Sequence, residues 1–293
     1  MRHLARCFCL CVCLLFCRQA SAAPTRVVAL SWESAEQLLE LGVTPIAVAD
    51  AGDYQRWVVR PALPGKVLNA GSRLEPNLEL LAELKPDLII ISPTLSDLHP
   101  RLSRIAPVLL LDSYRADHDN ALVARQQFLQ LAERFGRERQ ARVRLAAMDR
   151  RFAQLRRQLH AHYGDRLPGV AVIRFANPAV LYLYGDNSMP QYALKQLGIS
   201  PLWPQAATTW GVTQKKVASL GRLPPGSVLY LEPFDASEKL FNTPLWRAMP
   251  FVRNRQFAAV RSTWTYGGVA SLQYLAEALS EALLSLPRPA TSP

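Results

Sequence analysis

The 293-residue chain carries 34 Lys and Arg against 23 Asp and Glu, a formal net charge of +11, and is 49% hydrophobic. That is enough for one large or two medium α/β domains with a substantial core. All five cysteines fall within the first 17 residues, so the rest of the chain has no disulfide, thiolate metal site or cysteine nucleophile.

The first segment has the layout of a secretory signal peptide. Arg2, His3 and Arg6 make a basic start, Cys7–Phe16 an apolar run too short to span a bilayer, and Ala20-Ser21-Ala22 a small-residue cleavage site. Cleavage is expected after Ala22, because cutting after Ala23 would leave Pro24 at the new N-terminus. Phe16 is too large to precede a lipid-attachment cysteine at Cys17. Arg2, Arg6 and Arg18 leave with the segment, taking the charge from +11 to +8. No later run is long and apolar enough to cross a membrane, so the mature protein is expected to be soluble in the periplasm.

Residues 26–30 read as a strand, with Trp32 and Glu33 on the loop into a helix over 34–41 closed by Gly42. Residues 46–49 form a second strand, and 50–64 a long loop holding Tyr54, Arg56 and Trp57. Gly71 opens a loop bearing Arg73. A helix follows, with Leu78, Leu81, Ala82 and Leu84 at helical spacing, and Lys85-Pro86 stops it. The run Leu88-Ile89-Ile90-Ile91 suits a strand covered on both faces of a parallel sheet. Residues 101–106 read as a short helix and 108–111 as another buried strand. This alternation argues for a parallel sheet with helices on both faces.

From about 120 to 162 the pattern is purely helical. Gly136 is expected to divide it, the second helix running from about Glu138 to Tyr163 with Met148, Phe152, Leu155 and Leu159 on one face. At about 1.5 Å per residue this helix would be about 39 Å long, a rigid strut between two lobes. Ten arginines between 121 and 160 face only Glu133, Glu138 and Asp149. Without interleaved aromatics they describe a solvated helix face, which argues against a nucleic-acid partner. A second alternating unit then begins, with strands at 170–175, 180–184, 227–231 and 257–260 and helices at 191–197 and 272–286. Residues 287–293 read as a frayed tail.

No G-x-G-x-x-G, P-loop or G-x-S-x-G motif occurs. His99, His118, His160 and His162 do not combine into a metal set, and Glu232 and Asp235 on one loop do not by themselves indicate acid–base catalysis. Aromatic residues on predicted loops stand out instead. Trp203 and Trp246 read as core, whereas Trp32, Trp57, Trp210 and Trp264 each lie just beyond a strand or in a loop on one rim. In open α/β sheets ligands collect beyond the carboxyl ends of strands. Together with Tyr266 these four would line a shallow aromatic cleft. Arg73 reads either as a surface arginine or as a fixed cation at the cleft's lip.

The run Glu75-Pro-Asn-Leu-Glu-Leu-Leu-Ala-Glu-Leu-Lys-Pro-Asp87 resembles the signature of the class III periplasmic binding proteins, which feed ABC importers of iron-siderophores, cobalamin and haem. Val28-Ala-Leu-Ser-Trp32, Leu41–Asp50, Trp210-Gly211, Thr243–Arg253 and Trp264-Thr-Tyr-Gly267 are similar to its ferric-hydroxamate (ferrichrome) branch. The resemblance spans nearly all of the mature chain. It implies two Rossmann-like α/β lobes with mainly parallel sheets, joined by one long helix and closing little on each other. The boundaries expected are a signal peptide at 1–22, an N-terminal lobe at 23–135, the inter-lobe helix at 136–165 and a C-terminal lobe at 166–293.

The same resemblance implies a monomeric, non-enzymatic carrier without cofactor. It would capture an Fe(III)-siderophore of hydroxamate type and deliver it to an inner-membrane ABC permease. The iron arrives already chelated, so no direct metal ligand is implied. Arg73 stands where the family has an arginine contacting hydroxamate oxygens, with Trp32, Trp57, Trp210, Trp264 and Tyr266 as the cleft aromatics. Leu95 stands where the family has a second contact, a tyrosine. Glu79 is the first-lobe candidate for docking the permease, while the second-lobe position falls among Lys215, Lys216 and Ala218. Alternatives are haem or cobalamin as cargo, with Tyr54 or Tyr266 as a haem ligand, and an exported hydrolase.

Overall fold

The computed structural model describes residues 25–288. The signal-peptide reading and the end of the tail lie outside them.

The first sheet contains β1 (Val27–Ala29), β2 (Ala47–Val48), β3 (Leu68–Asn69), β4 (Leu88–Ile91) and β5 (Val108–Leu110), in the order β3-β2-β1-β4-β5 and parallel throughout. Val27, Val28 and all four residues of β4 are fully buried, as a strand covered on both faces requires. Each such side chain is worth roughly 2 kcal/mol of hydrophobic burial. The helices of this half are α1 (Trp32–Glu40), α2 (Ala51–Trp57), α3 (Leu78–Leu84), the single turn α4 (His99–Leu102) and α5 (Asn120–Arg134).

Gly136, at φ +62, separates α5 from α6 (Glu138–Tyr163), a helix of 26 residues. Ala141, Leu145, Met148, Phe152, Leu155 and Leu159 form its buried stripe. The second sheet follows: β6 (Val170–Phe175), β7 (Val180–Tyr184), β8 (Val212–Lys216), β9 (Ser227–Leu231) and β10 (Phe257–Val260), in the order β10-β9-β6-β7-β8. β6, β9 and β10 are parallel, while β7 runs antiparallel to both β6 and β8. Its helices are α7 (Met189–Gln196), the short α8 (Ser237–Phe241), α9 (Pro244–Ala248) and α10 (Pro250–Arg253), and finally α11 (Val269–Leu284).

One hydrophobic cluster runs through both halves, joining Val27, Leu38 and Leu88 to Phe152, Leu229 and Leu272. α11 packs against α6, α7, α5 and α1. Polar ties reinforce this. Glu40 of α1 pairs with Arg144 of α6, which also donates to Gln273 of α11 at 2.7 Å. Arg151 pairs with Glu277 at 2.8 Å. The arginines on the other face, among them Arg142, Arg150 and Arg157, are exposed.

Several expectations are corrected. Residues 51–57 are helical rather than loop, because Asp50 turns the chain into a left-handed conformation and Tyr54 is fully buried in the core. Trp32 opens α1 instead of preceding it, capped by the Ser31 side chain accepting from Ser34 N–H. The short helix before β5 is 99–102, and the last helix begins at Val269. The short edge strands β3 and β8 carry little apolar alternation, so periodicity does not predict them.

Candidate functional site

Every strand of the first sheet sends a residue from its carboxyl end to one cleft of about 640 Å³. Trp32 follows β1, Asp50 follows β2, Arg73 follows β3, Thr94 follows β4 and Tyr114 follows β5. The second half closes the other side with Trp210, just before β8, and with Trp264 and Tyr266 from the loop after β10. An adjoining side pocket of about 330 Å³ shares Trp32, Arg73, Trp264 and Tyr266, and adds Trp57, Arg174 and Thr265.

Arg73 is held on three sides. Gly71, at φ +92, lets the chain turn so tightly that a Cβ there would stand 2.7 Å from the Asn77 nitrogen. The turn is pinned by Asp50 N–H donating to the Gly71 carbonyl at 2.7 Å. Asp50 Oδ2 then accepts from both the backbone N–H of Arg73, at 3.1 Å, and its Nε, at 3.0 Å. The guanidinium carbon lies 3.5 Å from the centre of the Trp32 ring and 5.8 Å from that of Trp264. Trp32 is itself fixed, its Nε1 donating to the Ala49 carbonyl at 3.0 Å. With Nε engaged, neither Nη of Arg73 hydrogen-bonds to any described residue. The fork is preorganised with its outer edge unoccupied.

The aromatics form a chain of contacts. Trp32 meets Trp264 edge-on at 4.8 Å, Trp264 meets Tyr266 at 5.5 Å, and Tyr266 meets Tyr114 at 5.7 Å. Tyr114 stacks on Trp210 at 6.0 Å. Tyr114 also donates its hydroxyl to the Gly267 carbonyl at 2.7 Å, tying the loop after β5 to the loop after β10. Trp210 is 47% exposed, so its ring is open to a ligand from the cleft.

Beneath this wall lie two buried carboxyl groups of α1. Burial, with Glu36 and Asp112 nearby, pushes Glu33 up to about 8 against its hydrogen bonds to Ser113 and Gln37. Burial likewise raises Glu36 to about 7, although it accepts from Gly268 N–H at 3.0 Å, Ser271 N–H at 2.8 Å and the Ser271 hydroxyl. Glu33 is among the residues lining the cleft, and its burial favours the neutral form of the carboxyl group. Burial also raises the Tyr114 and Tyr266 phenols. Among the described residues no group of three or more His, Cys, Asp or Glu could hold a metal ion. The chemistry on offer is an aromatic trough with fixed cations, suited to a ligand that is apolar over most of its surface and anionic in places.

Residues 27–263 match the periplasmic binding protein family. The chain belongs to that family. This binding protein is 32% identical to the iron(3+)-hydroxamate-binding protein FhuD of Escherichia coli, over 90% of this chain and 88% of the relative. It is 29% identical to the Fe(3+) dicitrate-binding periplasmic protein FecB of the same organism, over 82% and 78%. Among solved structures, FhuD of Vibrio cholerae bound to Fe3+-Desferal superposes with a TM-score of 0.88 at 45% identity, covering 89% of this chain and 99% of that one. The fold is thus that of the siderophore-binding members of the family: two sheets of mainly parallel strands with their helices.

Of the residues singled out from sequence, Arg73, Trp32, Trp210, Trp264 and Tyr266 line the main cleft of this binding protein, and Trp57 lines only the side pocket. Leu95 is 1% exposed and packed in the core of the first sheet's outer face, so its side chain is absent from the cleft wall. Glu79 is exposed in the first turn of α3, in a separate hollow. The structure adds Asp50, Tyr114 and Arg174 to these residues. The strand-end rule that selected the tryptophans applies equally to Asp50 and Tyr114. Arg174 had its own signal, a single charge in the apolar strand Val-Ala-Val-Ile-Arg-Phe.

Proposed function

We propose that the protein captures a preformed Fe(III)-siderophore of hydroxamate type in the periplasm, after removal of residues 1–22, and hands it to an inner-membrane ABC permease. The observation that carries this reading is the clamped Arg73, its Nε held by Asp50 and its guanidinium lying over the Trp32 ring, in an aromatic trough where the described residues form no metal-binding cluster. A wrapped iron chelate presents what such a trough takes: negatively polarised oxygens around the metal and an apolar backbone around those. The similarity to FhuD, an iron(3+)-hydroxamate-binding protein, and to FecB, an Fe(3+) dicitrate-binding protein, supports it. Arg73 would donate charge-assisted hydrogen bonds to the iron-bound oxygens, worth roughly 1.5–3 kcal/mol. Covering about 200 Å² of apolar siderophore with Trp32, Trp210, Trp264 and Tyr266 adds about 5 kcal/mol. Before association entropy the sum approaches the roughly 8 kcal/mol of micromolar binding, a moderate affinity that suits a carrier that must release.

Residues 23–135 and 166–293 act in this reading as the two lobes and 136–165 as the helix between them. The protein works as a monomer, with Glu79 meeting the permease. The test is quenching of intrinsic tryptophan fluorescence by ferrichrome, ferrioxamine, ferric citrate, haemin and cobalamin in parallel. Saturable quenching by the hydroxamates is expected; quenching by haemin or cobalamin alone would replace the siderophore with that cargo.

A further inference from the structure

We propose that the side pocket beside Trp57 is a subsite for a carboxylate arm of the chelate, gripped between Arg73 of the first sheet's loops and Arg174 of β6. This rests on the siderophore reading for the rest of the ligand and goes beyond it in naming the chemistry of one arm.

The two cations are not equivalent. Arg73 is partly neutralised by Asp50, whose carboxylate lines the main cleft but not the side pocket. Arg174 has no carboxylate partner among the described residues. Its guanidinium is held by neutral groups: the Tyr184 hydroxyl at 3.3 Å, the Thr263 carbonyl at 3.4 Å, the Glu232 carbonyl at 3.5 Å and the Trp57 ring, whose centre lies 5.9 Å away. Those three bonds leave two of its five N–H groups unused. A half-buried, unpaired guanidinium is costly unless an anion completes it. Trp264, on the wall of this pocket, carries a buried Nε1–H that has no hydrogen-bond partner among the described residues. Trp32 and Trp57 provide apolar walls for the methylenes that would carry the carboxylate inward. At about 330 Å³ the space is at the small end of ligand pockets, fitting one short arm and not a second chelate. Because Arg73 and Arg174 come from different sheets, one carboxylate between them would bridge the two halves. A cationic amine arm would meet two like charges there.

The test uses Fe(III)-desferrioxamine B with its terminal amine either acetylated, giving a neutral arm, or succinylated, giving a carboxylate. Dissociation constants come from tryptophan quenching at low ionic strength. In the wild-type protein the succinylated chelate is expected to bind about tenfold more tightly than the acetylated one. In Arg174→Gln that ratio is expected to fall to within about twofold. A wild-type ratio near one, with both chelates binding, overturns the subsite and leaves the siderophore reading standing. An undiminished ratio in a folded Arg174→Gln overturns the role of Arg174. Failure of both chelates to bind overturns the siderophore reading and the subsite with it. The wild-type ratio decides the question on its own if Arg174→Gln does not fold.

Discussion

Asp50 holds Arg73 through its backbone N–H and its Nε, so removing the carboxylate should weaken binding through Arg73. In Arg73→Gln the charge and the outward N–H groups disappear. The side chain is 37% exposed, so the lower part of the 1.5–3 kcal/mol range for charged hydrogen bonds applies, or roughly a 10- to 30-fold rise in Kd. Asp50→Asn leaves the guanidinium in place but removes the charge that fixes Nε. An ion pair exposed to this degree is itself worth at most about 1 kcal/mol, so the expected loss is roughly two- to fivefold. In the Arg73→Gln background there is no fork left to aim, and Asp50→Asn should then change Kd by less than about twofold. The four proteins form a double-mutant cycle read by fluorescence titration, with a coupling of about 0.5–1 kcal/mol expected. Equal effects of Asp50→Asn in both backgrounds would refute the clamp. Tighter binding by Asp50→Asn would show that the carboxylate acts as a repelling charge, which refutes it equally.

The buried carboxyl groups make stability depend on pH. Both are raised in the folded state above their usual 4.5, Glu36 to about 7 and Glu33 to about 8. The native protein therefore holds more protons than the unfolded chain between about pH 4.5 and 8, and stability should fall as pH rises through that window. Glu33 alone accounts for at most about 5 kcal/mol of the fall. Thermal melts from pH 5 to 9 should show a declining Tm that Glu33→Gln flattens; parallel curves for the two proteins would contradict this. Gly267→Ala should be destabilised by about 1–3 kcal/mol, because the new Cβ would collide with the Ser271 hydroxyl and the Glu36 carboxyl group; an unchanged denaturant midpoint would count against it. Trp210→Ala should weaken chelate binding roughly three- to tenfold while costing less than about 1 kcal/mol of stability, since nearly half of the ring is already exposed. Titration and urea unfolding of the same preparation separate the two effects.

What the sequence disclosed followed from local rules. The isoleucine run of β4, the 3.6-residue stripe of α6 and the break at Gly136 are short-range patterns, and each appears where its spacing puts it. The tryptophans could be grouped because loops beyond strand ends share a rim. Helix α2 was hidden, since Asp50-Ala-Gly-Asp reads as a turn and the buried Tyr54 is its main anchor. Glu33 and Glu36 look like the polar face of an amphipathic helix. Glu33 meets Ser113, 80 residues later, and Glu36 a loop more than 230 residues later, contacts that no local window contains. Arg174 was absorbed into its strand for a related reason: its surroundings come from Trp57, Thr263 and Tyr184 rather than from its neighbours in sequence.

The shared core carries a consequence for how the chain is made. α1 is among the first helices to be synthesised, and the partners that cover it, Gly268, Ser271 and Leu272, come from the start of the last helix, α11. Until those residues arrive, the first sheet has a complete order of strands but an open apolar flank and an unanswered Glu36. Contacts of such sequence separation are the slow ones to form. The amino-terminal half must therefore wait, unfinished, for the carboxyl-terminal helix, and a chain truncated before Val269 would lose part of both halves.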